Sequence, residues 1–133
     1  MLRRAEVFPD NWLYIHTPDV LVARIQNYKN WSPHMVADAS KTALGLEYFV
    51  QEGDEYWNAT DAELIELGKR ETETLGLAKA SDAVDGCVIR MPKAYPGYYG
   101  SYARFGELRE YLDGIPNLYL AGRNGMQIGR AHV

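Results

Sequence analysis

The distribution of apolar and polar residues in the first part of the chain predicts a small antiparallel sheet. Aromatic and apolar residues dominate 12–16, Thr17-Pro18-Asp19 interrupts them, and a second β-rich run covers 20–28. Two such runs with a Pro-Asp break between them are typical of antiparallel neighbours. A third run of this kind, over 42–50, predicts a third strand.

The second run has two chemically different faces, because successive side chains of a strand point to opposite sides of a sheet. One face carries Leu21, Ala23, Ile25 and Asn27, and the other carries Val22, Arg24, Gln26 and Tyr28. The polar side chains of the second face would suit contact with a polar substrate, and equally a solvent-facing sheet surface. The pattern alone leaves both interpretations open.

Two helices are predicted farther along the chain. Thr60-Asp61-Ala62-Glu63 has the sequence of a capping box, in which side chains bond the free backbone donors at a helix start. The residues after it recur at helical spacing and form one stripe: Leu64, Ile65, Gly68, Thr72 and Leu75. Gly76 is suited to the end of this helix. A second helical pattern runs over 102–113 and stops at Gly114.

Two further strands are predicted late in the chain. A β-rich run covers 87–91, and Pro92 ends it. The apolar run 118–121 precedes Gly122 and Gly125, an order typical of a buried parallel strand whose glycine loop approaches a phosphate. The alternative is an ordinary turn in which glycine serves only for its freedom in φ. Early antiparallel strands and a late helix and strand together predict an α+β fold.

Composition excludes several classes of function. The 133 residues, 47% of them hydrophobic, suffice for one modest core. The net charge is −4 and the basic residues are scattered, so nucleic acid is not expected as a partner. The single cysteine excludes an internal disulfide. No apolar run approaches the roughly 20 residues that a membrane span needs. With no secretory signal pattern after Met1, we expect a cytoplasmic protein.

Three blocks of the chain together resemble one group of flavoenzymes. They cover 24–33, 92–96 and 117–126, and the last contains the sequence Leu-Ala-Gly-Arg-Asn-Gly-Met. They are similar to the C-terminal part of the FAD-dependent oxidoreductases of the amine oxidase, protoporphyrinogen oxidase and UDP-galactopyranose mutase-like group. The resemblance extends over nearly everything from Phe8 to Met126.

The resemblance implies two parts. Residues 8–98 would form an antiparallel substrate-binding sheet with a packed helix, and residues 99–126 would return into a Rossmann-type FAD-binding domain through a helix and that domain's last strand. Residues 127–133 match one reading frame of a sequencing adapter and are expected to lie outside the fold. FAD would be bound by Gly122, Arg123, Asn124, Gly125 and Met126.

The dinucleotide-binding fingerprint of such proteins is absent from this sequence. We therefore expect the missing N-terminal FAD-binding domain of the same protein as a partner. This chain alone would hold FAD weakly or not at all, and we expect it to be inactive. Because its sheet and last strand would normally pack against that domain, we also expect marginal stability or self-association.

Candidate substrate-binding residues are Arg24 and Gln26 on the second strand and Tyr95 and Tyr98 in an aromatic loop. The tyrosines could instead only cover a joint between subdomains. His16 and His34 lack neighbours with metal-ligand spacing. Cys87, in an apolar run, is expected to be a buried and inert thiol. Lys29, Lys93 and Glu47 have no sequence neighbour that marks an acid or base, and no catalytic residue is assigned.

The function implied by the resemblance is hydride transfer between a small organic substrate and FAD. Two alternatives remain: a flavin-dependent sugar-nucleotide mutase, which is an isomerase, and a non-catalytic α+β binding module. The flavoprotein hypothesis requires that Leu118–Ala121 lie in a sheet, because the strand would present backbone amides to the nucleotide.

Overall fold

The computed structural model describes residues 1–94 and 99–122. In these ranges the chain is an α+β protein with one three-stranded antiparallel sheet and four α-helices. It divides into two compact units, Met1–Arg90 and Met91–Val133. The expected subdomain bounds of 8–98 and 99–126 stay a prediction.

The sheet consists of β1 (Trp12–Tyr14), β2 (Arg24–Asn27) and β3 (Leu44–Glu47), in that order and antiparallel throughout. The predicted antiparallel pair and third strand are therefore confirmed. Each strand is shorter than its sequence run. At β2 both ends are limited: the backbone N–H groups of residues 21 and 22 donate to the carboxylate of the distant Glu71, and Tyr28 already begins a helix.

The inner face of the sheet holds the core of the first unit. Leu13, Ile25 and Leu46 lie in register across the three strands, and Ile25 is fully buried. Gly68 allows a close approach of its helix to this face, since a Cβ there would meet Leu46 Cδ2 at 3.3 Å. The predicted alternation is confirmed over Arg24–Asn27, where Ile25 and Asn27 are buried and Arg24 and Gln26 are partly exposed. It is wrong before this strand, because Leu21 is 38% exposed and Val22 is buried.

The first unit contains α1 (Tyr28–Trp31), α2 (Glu55–Asn58) and α3 (Asp61–Thr74), with 3₁₀ turns at Pro33–Met35 and Ala80–Asp82. The predicted capping box of α3 is present. The Thr60 N–H donates to Glu63 Oε2 at 2.8 Å, and the Glu63 N–H donates to Thr60 Oγ1. Gly76 follows the helix at φ +70°, a left-handed conformation that glycine adopts without strain.

The second unit contains a 3₁₀ turn at Gly100–Arg104 that runs into α4 (Phe105–Asp113). This confirms the predicted helix, except that its first turn is 3₁₀. Arg104 and Glu107 form an ion pair on its surface, at 2.7 Å. On the same helix the apolar side chains of Leu108 and Tyr111 are 54% and 72% exposed.

The prediction of a strand at Cys87–Met91 is wrong, because these residues form no strand. The Arg90 side chain ties the segment to the turn between α2 and α3: its guanidinium donates to the carbonyls of Trp57 and Ala59 and pairs with Asp61. Tertiary anchoring by one long side chain therefore overrides a local preference for strand.

The strand predicted at Leu118–Ala121 is also not formed, and these residues lie in no sheet. The segment begins in a turn, with Asn117 at φ +69° and the Leu118 N–H donating to the Ile115 carbonyl at 3.3 Å. A strand needs a neighbour for its backbone groups. In the described ranges the only strands belong to the sheet of β1–β3.

Candidate functional site

The side of the sheet opposite Ile25 is formed by two rows of residues in register. One row is Trp12, Gln26 and Gly45, and the other is Tyr14, Arg24 and Glu47. Directly paired residues of a sheet project to the same side. We call these six residues the outer face. It brings together Arg24 and Gln26, the two described residues that sequence analysis proposed for substrate contact.

Glu47 is the centre of a hydrogen-bond network on the outer face. Its Oε2 accepts from Arg24 Nε at 2.9 Å and also from Arg24 Nη2, and its Oε1 accepts from Gln26 Nε2 at 2.9 Å. The side chains of Arg24 and Glu47 are 23% and 30% exposed. The network is thus partly shielded from water and still reachable from solvent.

The charge state of Glu47 follows from these contacts. Partial burial acts to raise its pKa, but the hydrogen bonds from Arg24 and Gln26 and the positive charge of Arg24 outweigh burial and hold the pKa below its usual value. The carboxylate is therefore ionised at neutral pH and cannot donate a proton there as a general acid. Together Arg24 and Glu47 carry no net charge.

Two tryptophans lie beside this network. Trp31, at the end of α1, donates its indole N–H to Gln26 Oε1 at 3.1 Å. Its ring stacks on Trp12 with centroids 5.2 Å apart and planes 15° apart. Trp12 is 41% exposed and Trp31 is 49% exposed. The hydrogen bond and the stacking together fix the position of a large, partly exposed aromatic surface.

Two tyrosines complete the surroundings. The guanidinium carbon of Arg24 lies 5.8 Å from the centroid of the Tyr14 ring, within the range of a cation–π interaction. The Tyr28 ring lies directly over Gly45, because a Cβ at that glycine would be only 2.5 Å from Tyr28 Oη. Tyr28 thus reaches the outer face, as the strand alternation predicted, although it belongs to α1 and not to β2.

A buried carboxylate positions the segment that leads into β2. Glu71 of α3, 7% exposed, accepts from the backbone N–H groups of Leu21 at 2.6 Å and Val22 at 3.1 Å. It also accepts from the hydroxyl of Tyr48 at 2.9 Å. Burial and the Glu71 carboxylate raise the pKa of Tyr48. Tyr48 is therefore a hydrogen-bond donor at any physiological pH and not a proton-transfer group.

The other predicted binding residues are mostly outside the described ranges. Tyr95 and Tyr98 lie there, as do Arg123, Asn124, Gly125 and Met126. Gly122 is described: it is exposed, at φ +76°, and a Cβ added to it would meet nothing within 4 Å. A positive φ of this size is one that glycine adopts without strain.

Several smaller predictions have outcomes as well. Cys87 is exposed, so its interpretation as a buried core thiol is wrong. His16 stacks on Tyr14 with centroids 6.5 Å apart.

In the part of the chain that the structure describes, no three His, Cys, Asp or Glu residues are grouped so that they could hold a metal ion. The helices in the same part include none with the length and apolar character that crossing a membrane requires.

Sequence reasoning missed the role of Glu47 on the outer face. One signal was available: Gly45 and Glu47 alternate with Leu44 and Leu46, which places the glutamate opposite the apolar side of β3. The register between β2 and β3 was the missing information. Only this register shows that Glu47 is directly opposite Arg24.

Comparisons with known proteins do not add to this picture. No protein-family model matches the chain. No curated protein and no solved structure matches it either.

Proposed function

We propose that the outer face of the sheet is a substrate-binding surface, and that this chain is the C-terminal part of an FAD-dependent oxidoreductase. The binding surface is supported by the network in which Arg24 and Gln26 both donate hydrogen bonds to Glu47. The stacked rings of Trp12 and Trp31 lie beside this network. A few convergent polar groups beside apolar ring surfaces are the usual composition of a small-molecule site.

The network favours a binding role over a merely solvated sheet edge. An isolated solvent-exposed ion pair contributes little to stability, whereas a bidentate pair that belongs to a network is held more firmly. Here Glu47 accepts three hydrogen bonds from two neighbouring residues, and Gln26 in turn holds the indole of Trp31. Preorganised side chains of this kind lower the entropic cost of ligand binding.

The flavin part of the proposal depends on the resemblance of the three sequence blocks. The described residues do not by themselves supply an FAD site, because Leu118–Ala121 lie in no sheet and present no strand to a nucleotide. The sheet requirement of the flavoprotein hypothesis is thus not met within this chain. In the proposed protein, hydride transfer to FAD would need a neighbouring strand from the FAD-binding domain. We assign no catalytic step to any residue.

The test is the colour of a longer gene product. The coding sequence that extends this chain at both ends is expressed, free flavin is removed and the visible absorbance is recorded. We expect a flavin spectrum, reduced in an Arg123→Ala variant and unchanged in an Arg109→Ala variant, which alters an exposed arginine of α4. A well-folded, colourless protein would contradict the flavin part of the proposal.

A second candidate is a binding module without flavin chemistry. The absence of any sheet at Leu118–Ala121 favours it, since the strand was the structural link to a nucleotide site. The outer face would serve such a module equally well. The same colour measurement separates the two candidates, because only the first requires bound flavin.

A further inference from the structure

We propose that the outer face recognises an uncharged ring carrying several hydroxyl groups, such as a neutral hexose glycoside, and discriminates against anions. This inference rests on the proposed role of the outer face as a binding surface. It does not depend on the flavin part of the proposed function.

The first argument is charge. Arg24 and Glu47 are the two charged residues of the outer face, and they are paired with each other. A carboxylate or phosphate bound at Arg24 would either meet the negative charge of Glu47 or have to displace it. Like charges brought together at a binding surface disfavour binding. An uncharged ligand avoids both costs.

The second argument is hydrogen-bonding capacity. A carboxylate can accept about four hydrogen bonds, and Glu47 accepts three. The side-chain amide of Gln26 uses one N–H toward Glu47 and one lone pair toward Trp31, and an amide has two of each. The face therefore offers acceptors and a donor side by side. A hydroxyl group both donates and accepts, so neighbouring hydroxyls match this arrangement.

The third argument is the aromatic surface. Trp12 and Trp31 are stacked, partly exposed and held in place by the hydrogen bond to Gln26. A saturated sugar ring has an apolar side formed by C–H groups and a rim of hydroxyls. It can cover an indole surface with the first and bond Gln26 and Glu47 with the second.

The experiment is an isotope-edited NMR titration of the chain, observed at its three indole N–H groups. The probes are methyl β-glucoside and the anion methyl β-glucuronide, which differ in one oxidised carbon. Trp57 of α2 is outside the outer face and serves as an internal reference.

We expect the glucoside to shift the Trp12 and Trp31 signals and leave that of Trp57 unchanged, with glucuronide binding about tenfold weaker, which corresponds to roughly 1.4 kcal/mol. A Glu47→Gln variant lacks the repelling carboxylate and keeps the positive charge of Arg24, so the preference should reverse toward the glucuronide. The doubly neutral variant, Arg24→Gln with Glu47→Gln, has neither the repelling carboxylate nor the guanidinium, so it should bind both glycosides about equally and provides a second test if the single variant is poorly folded.

The inference is overturned if the glucoside shifts neither the Trp12 nor the Trp31 signal, or if the wild-type chain prefers the glucuronide. Both results are independent of flavin. A yellow extended protein with no glucoside response would retain the flavin proposal and remove this inference. If the chain responds to the glucoside and its extended form is colourless, the inference is retained and the flavin proposal is removed.

Discussion

Arg24 and Glu47 lie directly opposite each other on β2 and β3, and Arg24 Nε donates to Glu47 Oε2 at 2.9 Å. The pair joins two strands on the side of the sheet that faces away from the core. It places a carboxylate next to Gln26, whose amide bonds the same carboxylate and the Trp31 indole. The ion pair, the Gln26 amide and the Trp31 indole are therefore joined by hydrogen bonds on one side of the sheet.

Replacement of Glu47 by glutamine should lower the free energy of unfolding by about 1 kcal/mol at neutral pH. The folded-state pKa of Glu47 is depressed, so its contribution is present above the unfolded pKa of about 4.3 and is lost as pH falls through the folded pKa. The difference between wild type and variant should thus shrink in acid. Urea unfolding across a pH series measures it.

The matched control for this change is Glu66→Gln, which removes an i,i+3 ion pair with Lys69 on the surface of α3. Its effect at neutral pH should stay within about 0.5 kcal/mol. Depressed carboxyl pKa values elsewhere, at Asp38, Glu63 and Glu107, are shared by all three proteins and cancel in the comparison. A Glu47→Gln effect that persists undiminished in acid would contradict the assigned pairing.

Replacement of Gly45 by alanine should destabilise the first unit by about 1–3 kcal/mol, because the new methyl group would overlap the Tyr28 ring. A Tyr28→Ala background removes the obstacle, and the same substitution should then cost much less. Gly106→Ala in α4 is the control: its Cβ would meet nothing within 4 Å, and it should stabilise that helix slightly. Thermal unfolding followed by circular dichroism gives all four values.

The features that sequence predicted correctly are those decided by neighbouring residues. The alternation around Ile25 placed Arg24 and Gln26 together on one face, and this is what the structure shows. The capping box at Thr60 and the glycine at position 76 marked both ends of α3. In each case a few consecutive residues determine the periodicity or the cap.

The features that sequence missed are decided by distant residues. Residues 87–91 have strand-forming side chains, but Arg90 anchors them to the carbonyls of Trp57 and Ala59 instead of to a sheet. Helical spacing from Leu64 and Gly68 puts Glu71 on the buried side of α3, but only the fold shows that its partners are the backbone N–H groups of residues 21 and 22. No local pattern specifies such contacts, which are separated by tens of residues.

Replacement of Thr60 by alanine should destabilise α3 by about 1 kcal/mol, since the Glu63 N–H loses its acceptor at the first turn. Serine at the same position keeps a hydroxyl and should restore most of the loss. Hydrogen exchange of the amides in the first turn of α3 measures this locally. Equal exchange in the alanine and serine variants would show that the hydroxyl does not cap the helix.

Glu71 should be the most sensitive polar residue of the first unit. Replacement by glutamine keeps the size of the side chain but turns one acceptor into an N–H₂ group facing other donors. Three groups depend on this carboxylate: the N–H groups of Leu21 and Val22 and the hydroxyl of Tyr48. Unsatisfied buried donors cost about 1–3 kcal/mol each, so the variant should lose about 2–4 kcal/mol.

Two substitutions separate this cause from a general effect of changing α3. Tyr48→Phe removes only one of the three donors and should cost about 1 kcal/mol. Glu73→Gln makes the same chemical change two residues along the helix at an exposed position and should stay within about 0.5 kcal/mol. Because residues 21 and 22 lead into β2, loss of Glu71 should also broaden the Trp31 indole signal. Equal stability of the Glu71 and Glu73 variants would disprove this role of the buried carboxylate.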